Sequence, residues 1–574
     1  MKNLFLIFLY FLPSFSFAQK FITKFEMSNG LQTPVYSEII KWWQILDQQF
    51  PTVKMMTMGL TDANLPLHVV FVTSDKGFRL EDLHKKNKSV ILINNGIHPG
   101  EPDGIDASML LARDIVTGKE KLPLNIVLAI IPVYNIGGCL DRSANFRVDQ
   151  NGPEEFGFRG NSQNLALNRD FIKCDSRDAR AFTELYHLID PDVFLDNHVS
   201  NGADYQHVMT LVASQHNKLG NRMGEFMNKK FEPGVYLLMK QKGIDLVPYV
   251  NSFGDTPESG WPEFWDSPRY SSGFATLWHT FAFISETHML KPYRQRVEDT
   301  YALMQSLIHF TSNNSSSIRE LRDKTKQAIK QQKEFPIRWA LDTSVHTLIS
   351  YKGYTAERKK SEVSGLQRLY YDRSKPFEKL IPFYNYYKPT TTINKPTAYV
   401  IPQGWWKVID LLKLNKVRMS QFKKDTTIQV EVYRIADYKS SPRLYEGHHM
   451  NSFVKVDSFT RRINFRKGDF YIPMNQVANR FLVETLEPQA EDSYFTWNFF
   501  DAVLSQKEGF SDYVFEETAL QLIQDYPQVK QTLIERRVSD SSFAKNANSQ
   551  LNFIYQNSPY YEPAHLRYPV FRIR

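Results

Sequence analysis

Two imidazoles and a carboxylate raise the question of chemistry first. His98 and Glu101 lie in the string Asn94-Asn95-Gly96-Ile97-His98-Pro99-Gly100-Glu101. A neutral imidazole and a carboxylate three residues apart can reach one metal ion, and a loop at a strand end gives them freedom to converge. Alone the pair is a weak signal, since roughly one such match arises by chance in a chain this long. Further along, Asp196-Asn197-His198 ends the apolar run Val193-Phe194-Leu195. Two histidines plus one glutamate leave the fourth position of a zinc ion to water, which marks a catalytic rather than a structural site. Between these halves come Asn135-Ile136-Gly137-Gly138, then Arg159-Gly160-Asn161, then Asn168-Arg169-Asp170. After them, Phe283-Ile284-Ser285-Glu286 puts another carboxylate at the end of an apolar run.

In this order the residues resemble the zinc carboxypeptidase family of the carboxypeptidase A type, over roughly residues 30 to 315. The family pattern is HxxE, an NPDG-like turn, an arginine often written RxN, an Asn-Arg pair, a second histidine and a glutamate at a strand end. Here His98 and Glu101, Asn135 to Gly138, Arg159 with Asn161, Asn168 with Arg169, His198 and Glu286 stand in those places. Each piece is weak and the ordered set is strong. The resemblance implies one Zn²⁺ held by His98, Glu101 and His198, activating water and polarising a peptide carbonyl. It implies Glu286 as the general base and Arg159 as the oxyanion donor. Asn168 and Arg169 would grip a C-terminal carboxylate, which a guanidinium can hold with two parallel hydrogen bonds. Arg159 is preferred over the nearby Arg142 and Arg147 because Asn161 completes the RxN spelling. Tyr270 stands loosely where the family has a substrate-capping tyrosine, with core packing as the plainer role.

Two departures bear on this. The family's Asp two residues before the Asn-Arg pair, which orients the first histidine, is here Ala166. Metal-bound imidazoles normally donate their other N–H, so His98 needs a different partner, such as Asp170 or a backbone carbonyl. The family's Asn-Arg-Asn is here Asn168-Arg169-Asp170, which adds a negative charge beside the carboxylate grip. The resemblance implies a zinc metallocarboxypeptidase with a peptide substrate. A zinc amidohydrolase or deacylase on small N-acyl amino acids or cell-wall peptides stays open, as does a non-catalytic binding protein on a peptidase fold.

The elements that must position these residues alternate between strand and helix. Helical spacing covers Tyr36 to Gln49, a helix is expected from Asp103, and another over Arg177 to Ile189. Strand patterns cover Leu67 to Thr73, Ser89 to Asn94, Asn125 to Val133, Val193 to Asp196 and Thr280 to Ser285. This predicts an α/β fold, a mixed central sheet with helices on both faces, carrying site residues just past its strand ends. A helix over Val297 to Phe310 is expected to end in a polar linker, Thr311 to Ser317. A charged helix then leads to a mixed, β-rich C-terminal region, with strand patterns at Ala398 to Ile401, Thr427 to Ile435, Phe470 to Ile472 and Phe481 to Thr485. The expected division is 1–18, 19–315 for the catalytic domain, 316–334 as a helical linker and 335–574. The segment Leu486 to Asp501 resembles a C-terminal region of exported bacterial carboxypeptidase-like proteins.

Composition bounds the rest. Of 574 residues 42% are hydrophobic, 14% aromatic and 23% charged, enough to bury a large core and too apolar for a disordered chain. The formal charge of +8 with no dominant basic block gives no reason to expect a nucleic-acid partner. Lys2, the apolar run Leu4 to Leu12 and small residues at Ser16 and Ala18 read as a secretory signal cleaved before Gln19, giving a periplasmic or secreted protein. No later stretch is long and apolar enough to span a membrane. Only Cys139 and Cys174 are present, which excludes a cysteine zinc cluster. In an oxidising compartment they either pair or remain two buried thiols. Neighbouring residues on a strand face opposite ways, so His448-His449 is no metal pair. Oligomeric state leaves no mark in the sequence.

Overall fold

The structure is a computed structural model that describes residues 21–83 and 87–574. The expected signal segment 1–18 lies outside the described residues. The apolar runs form one eight-stranded sheet. Its strands are β1 (Val53–Leu60), β2 (Pro66–Thr73), β3 (Ser89–Asn94), β4 (Ile126–Ile131), β5 (Val193–Ser200), β6 (Met209–Ala213), β7 (Val247–Pro248) and β8 (Phe281–His288). In space they run β1-β2-β4-β3-β5-β8-β6-β7. β4, β3, β5 and β8 are mutually parallel, β1 and β2 pair antiparallel with their neighbours, and β6 is antiparallel to β8 but parallel to β7. The central strands β3, β4 and β5 are buried along their whole length. Such strands read as unbroken apolar runs because both faces are covered.

Alternate residues of these strands feed two separate cores. Val90, Leu92, Val127, Ala129 and Phe194 join the core on one face, where Phe182 and Leu185 of the helix Arg177–Ile189 also pack. Ile91, Ile93, Ile126, Leu128 and Leu195 join the other, with Ile39 and Trp43 of α1 (Tyr36–Gln49) and Ile105 and Leu111 of α2 (Asp103–Val116). Each large side chain buried this way contributes about 1.5–3 kcal/mol relative to exposure. The expected α/β architecture with helices on both faces is what forms.

Downstream the sequence was less explicit. The expected linker Thr311 to Ser317 is instead the middle of one helix, α4 (the helix Tyr293–Gln331; the helix Arg177–Ile189 is α3). Its polar residues are used rather than solvated. The Ser315 and Ser89 hydroxyls share a 2.7 Å hydrogen bond, and the Ser312 hydroxyl donates to Asn125 Oδ1 at 2.8 Å. Buried Arg322 pairs with Asp192 at 2.6 Å and Asp190 at 2.7 Å. Tertiary hydrogen bonds override a weak local propensity.

The C-terminal region is β-rich over 334–473, with a six-stranded sheet that contains the long hairpin Thr426–Ser440/Asn451–Phe465. The stretch Phe481 to Thr485, expected as a strand, lies in the helix Asn479–Leu486, where every residue is buried. Helices Asp512–Asp525, Pro527–Ser539 and Ala547–Gln556, not foreseen, share a small core of their own. The face that carries α3 continues into this region, because Ile401, Val408, Phe481 and Trp497 belong to the same core as Phe182. Cys139 and Cys174 are separate, buried thiols. Among the described residues no helix is long and apolar enough to cross a membrane.

Candidate active site

The parallel strands β3, β5 and β8 end side by side. Asn94 pairs with Asp196, and Glu286 stands opposite His198 in register. This brings a loop after one strand and two side chains on its neighbours to the same edge, where α/β sheets place their ligands. Gly96, with a φ of +65°, turns the chain out of β3 toward His98, a conformation that suits glycine. Asn135 ties two loops together: its Oδ1 accepts from Gly138 N at 2.8 Å and its amide donates to Arg159 O at 3.1 Å and Ile97 O at 3.4 Å. Asn161 shapes the following loop by accepting from Gln163 N and Leu165 N.

All eight residues singled out from sequence line one cavity of about 620 Å³: His98, Glu101, Arg159, Asn168, Arg169, His198, Tyr270 and Glu286. The rings of His98 and His198 lie 5.1 Å apart, and His198 Nδ1 is 3.2 Å from Glu101 Oε2. Among the described residues no three His, Cys, Asp or Glu side chains stand in a ligating arrangement. Glu101 Oε1 accepts from Arg147 Nη1 at 2.7 Å, and Oε2 accepts from Val199 N at 2.8 Å. Glu101 is thus paired with Arg147 through one oxygen while the other faces His198.

The donor set nonetheless fits a zinc ion. His98 is 2% exposed, yet neither ring nitrogen has a hydrogen-bond partner among the described residues. A buried polar group left so costs about 1–3 kcal/mol, and a bound cation would relieve it. Burial holds His98 well below the usual imidazole range, with Glu101 opposing, so the ring is neutral, as a metal ligand must be. Burial alone would raise Glu101, but Arg147 and the two histidines hold it well below the carboxylate range. His198 is depressed by burial, but Asp196 and Glu101 on either side push it up to about 10. Burial pushes Glu286 up to about 7, His198 opposing and Glu101 adding to the rise.

Some expectations need correction. Asp170 does not serve His98; it accepts from Ser176 N at 3.0 Å, Ser176 Oγ at 2.5 Å and Lys173 Nζ at 2.8 Å, shaping its own loop. The carboxylate–imidazole partnership falls on the other histidine, since His198 Nε2 is 3.0 Å from Asp196 Oδ2. Asp196 and His198 are two apart on a strand and so share a face, a signal present in the sequence. Arg142 is spent on backbone carbonyls of Thr33, Pro34 and Glu155. Arg147 lines the cavity together with Arg159 and lies nearer Glu101, at 2.7 Å against 3.5 Å for Arg159 Nη1.

At the far side, Arg169 carries its Cζ 4.5 Å from the centre of the Tyr270 ring. Its Nε donates to Tyr445 Oη at 2.8 Å and its Nη1 to Asn168 O at 2.9 Å. Among the described residues no carboxylate pairs with it. Asn168 Oδ1 is buried without a partner among the described residues. His448 Nε2 meets Asp175 Oδ2 at 2.8 Å, while His449 Nδ1 meets Ser441 O at 2.9 Å.

Residues 39–206 match the zinc carboxypeptidase family model, a span that contains His98, Glu101, Arg159, Asn168, Arg169 and His198 and ends before Tyr270 and Glu286. The chain is 18% identical over 422 residues to Carboxypeptidase 2 of Trichophyton rubrum, covering 70% of this chain and 72% of that protein. Among solved structures it aligns with a metallo-carboxypeptidase from Burkholderia cenocepacia at a TM-score of 0.37 and 14% identity, over 49% of this chain and 70% of that one. A metallo-carboxypeptidase from Pseudomonas aeruginosa, in complex with (2-guanidinoethylmercapto)succinic acid, aligns at 0.36 and 14% identity, over 50% and 69%. On the family match, residues 39–206 are similar to a zinc carboxypeptidase domain, which makes the chain a peptidase.

Proposed function

We propose that the protein is an exported zinc carboxypeptidase that removes C-terminal residues from peptides, with Glu286 as general base. The observation that carries this is one cavity lined both by a His/Glu/His set beside a carboxyl that ionises near pH 7 and by a guanidinium with no acidic partner among the described residues. His98, Glu101 and His198 would hold the ion, which supplies Lewis acidity to water and to a peptide carbonyl. Glu286, ionising near pH 7, suits a group that takes a proton from water and returns it to the leaving amine. Arg159, half exposed at the rim, offers N–H donors to negative charge growing on the carbonyl oxygen. Asn168 and Arg169 bind the free carboxylate, and the Tyr270 ring lies against that guanidinium. Export rests on the N-terminal pattern Lys2, Leu4 to Leu12 and Ala18.

The test is a defined peptide mixture incubated with purified protein and read by mass spectrometry, with and without a chelator. Ladders shortened from the C-terminus and abolished by the chelator are expected. Products that all keep an intact C-terminus would overturn this reading, and release of only an N-acyl group would replace it with a deacylase.

A further inference from the structure

The arginine that would grip the substrate carboxylate is held from outside the catalytic domain. The tip of the long C-terminal hairpin, residues 441–450, lies on the loop 166–175. Three side chains make the join. Tyr445 Oη accepts from Arg169 Nε at 2.8 Å, Glu446 Oε2 accepts from Ala166 N at 2.7 Å, and His448 Nε2 meets Asp175 Oδ2 at 2.8 Å. Ala166 is the position where the family's aspartate is missing, and the backbone there is met by a carboxylate from the hairpin.

Tyr445 is itself braced. Its ring lies nearly parallel to Trp497, 6.2 Å between centroids at 27°, and the Arg269 guanidinium is 5.6 Å from its centre. Arg269 is anchored in turn by a 2.7 Å ion pair with Asp492. Trp497 and Asp492 are buried members of the C-terminal region. Tyr445 does not line the cavity. It reaches substrate only through Arg169, whose other fixed contacts are Asn168 O and the Tyr270 ring face.

Fixing a long, many-rotamer arginine side chain costs entropy, which carboxylate binding would otherwise have to offset. A donor already fixed at Nε removes part of that cost before substrate arrives. The hydrogen bond takes Nε and leaves Nη2 with no hydrogen bond among the described residues, available to an incoming carboxylate. From this geometry we infer that Tyr445 is a positioning residue for C-terminal carboxylate recognition. The C-terminal region thereby completes the substrate site rather than merely stabilising the molecule. The inference rests on the carboxypeptidase reading above.

The test uses the full chain and one peptide in two forms, free acid and C-terminal amide. Y445F removes only the hydroxyl. KM for the free acid should rise about three- to tenfold, the span of one net hydrogen bond, with kcat within twofold and the melting temperature unchanged. Turnover of the amide, poor throughout, should not shift. E446A, which releases the tip from Ala166 N, should raise KM in the same direction and covers the case of a misfolded first variant. An active wild type with an unaltered KM in Y445F overturns the inference. So does a fall in kcat together with melting temperature, which would mark a purely structural contact. A wild type that never shortens free-acid peptides removes the carboxypeptidase reading itself, and this inference with it.

Discussion

Glu286 and His198 show how one pair of positions sets the chemistry of a site. They face each other on parallel strands, so a carboxyl near neutrality sits beside an imidazole tied to Asp196. Glu286→Gln should keep bound zinc, measured by metal analysis, and lose about 10²–10⁴ in kcat, the usual share of a general base. Full activity in that variant would remove Glu286 from the mechanism. Asp196 acts one step further out. A carboxylate on the far nitrogen of a ligating imidazole fixes its tautomer and raises its basicity, and its loss typically costs about 10–100-fold in metal affinity. Asp196→Asn should therefore give up zinc to a competing chelator at about 10–100-fold lower chelator concentration. Unchanged retention would show that His198 is oriented by other contacts. The His98 nitrogens, without partners among the described residues, would gain one from zinc, and chelation should lower the melting temperature as well as activity.

The elements behind the site are locked by buried contacts that leave little slack. α2 starts directly after Glu101, and its Gly104 packs on β3 and β5 so closely that an added Cβ would lie 2.4 Å from Asn95 Oδ1 and 2.5 Å from Asn197 Cβ. Asn197 precedes His198, and its amide donates to Asn95 Oδ1 at 2.8 Å. Gly104→Ala should then cost about 1–3 kcal/mol by overpacking, read as a shift in denaturant midpoint, with activity falling too as the strand ends separate. An unshifted midpoint would mean that helix and sheet can move apart freely. On the other side of α2, Arg296 is fully buried and donates to Asp103 Oδ2 at 2.9 Å, where the Thr287 hydroxyl also donates. That carboxylate joins the start of α2 to α4 and to β8, one residue past Glu286. The 39 residues of α4 span the sheet because they gain these partners, from Arg296 at one end to Arg322 at the other.

For the molecule as a whole, buried titratable groups pull stability in opposite directions with pH. His279 is buried and pushed down to about 3, by burial first and then by Arg480, Lys326 and Arg322. The folded chain refuses a proton that the unfolded chain accepts near pH 6.5, so this stability is present above about 6.5 and fades as pH falls, by up to about 1.4 kcal/mol per unit. Asp106 is the reverse: burial pushes its carboxyl up to about 7 while the Tyr293 hydroxyl donates to it. It favours the folded state below the unfolded pKa near 4, and that contribution is lost as pH rises through about 7. Relative to wild type, His279→Asn should be more stable at pH 5 than at pH 7.5; Asn tolerates the φ of +60° at this position. Asp106→Asn should compare better with wild type at pH 8 than at pH 6. Melting curves across pH decide both, and a variant–wild type difference that stays flat with pH would contradict the assigned titrations.

What the sequence determined is local. The runs Ser89 to Asn94 and Arg177 to Ile189 form the strand and helix that their spacing prescribes, because periodicity and β-branched content act over a few residues. The types and order of His98, Glu101, Asn168, Arg169, His198 and Glu286 were legible for the same reason, as residues at the ends of such runs. Tertiary structure decided the rest, through contacts whose partners are far apart in the chain. It turned the polar run Thr311 to Ser317 into helix by giving Ser312 and Ser315 partners on the sheet. It chose Asp196 over Asp170 as the carboxylate beside an imidazole, and set Arg147 against Glu101. It also placed Tyr445 on Arg169, a hydrogen bond between positions 276 residues apart that no local pattern encodes.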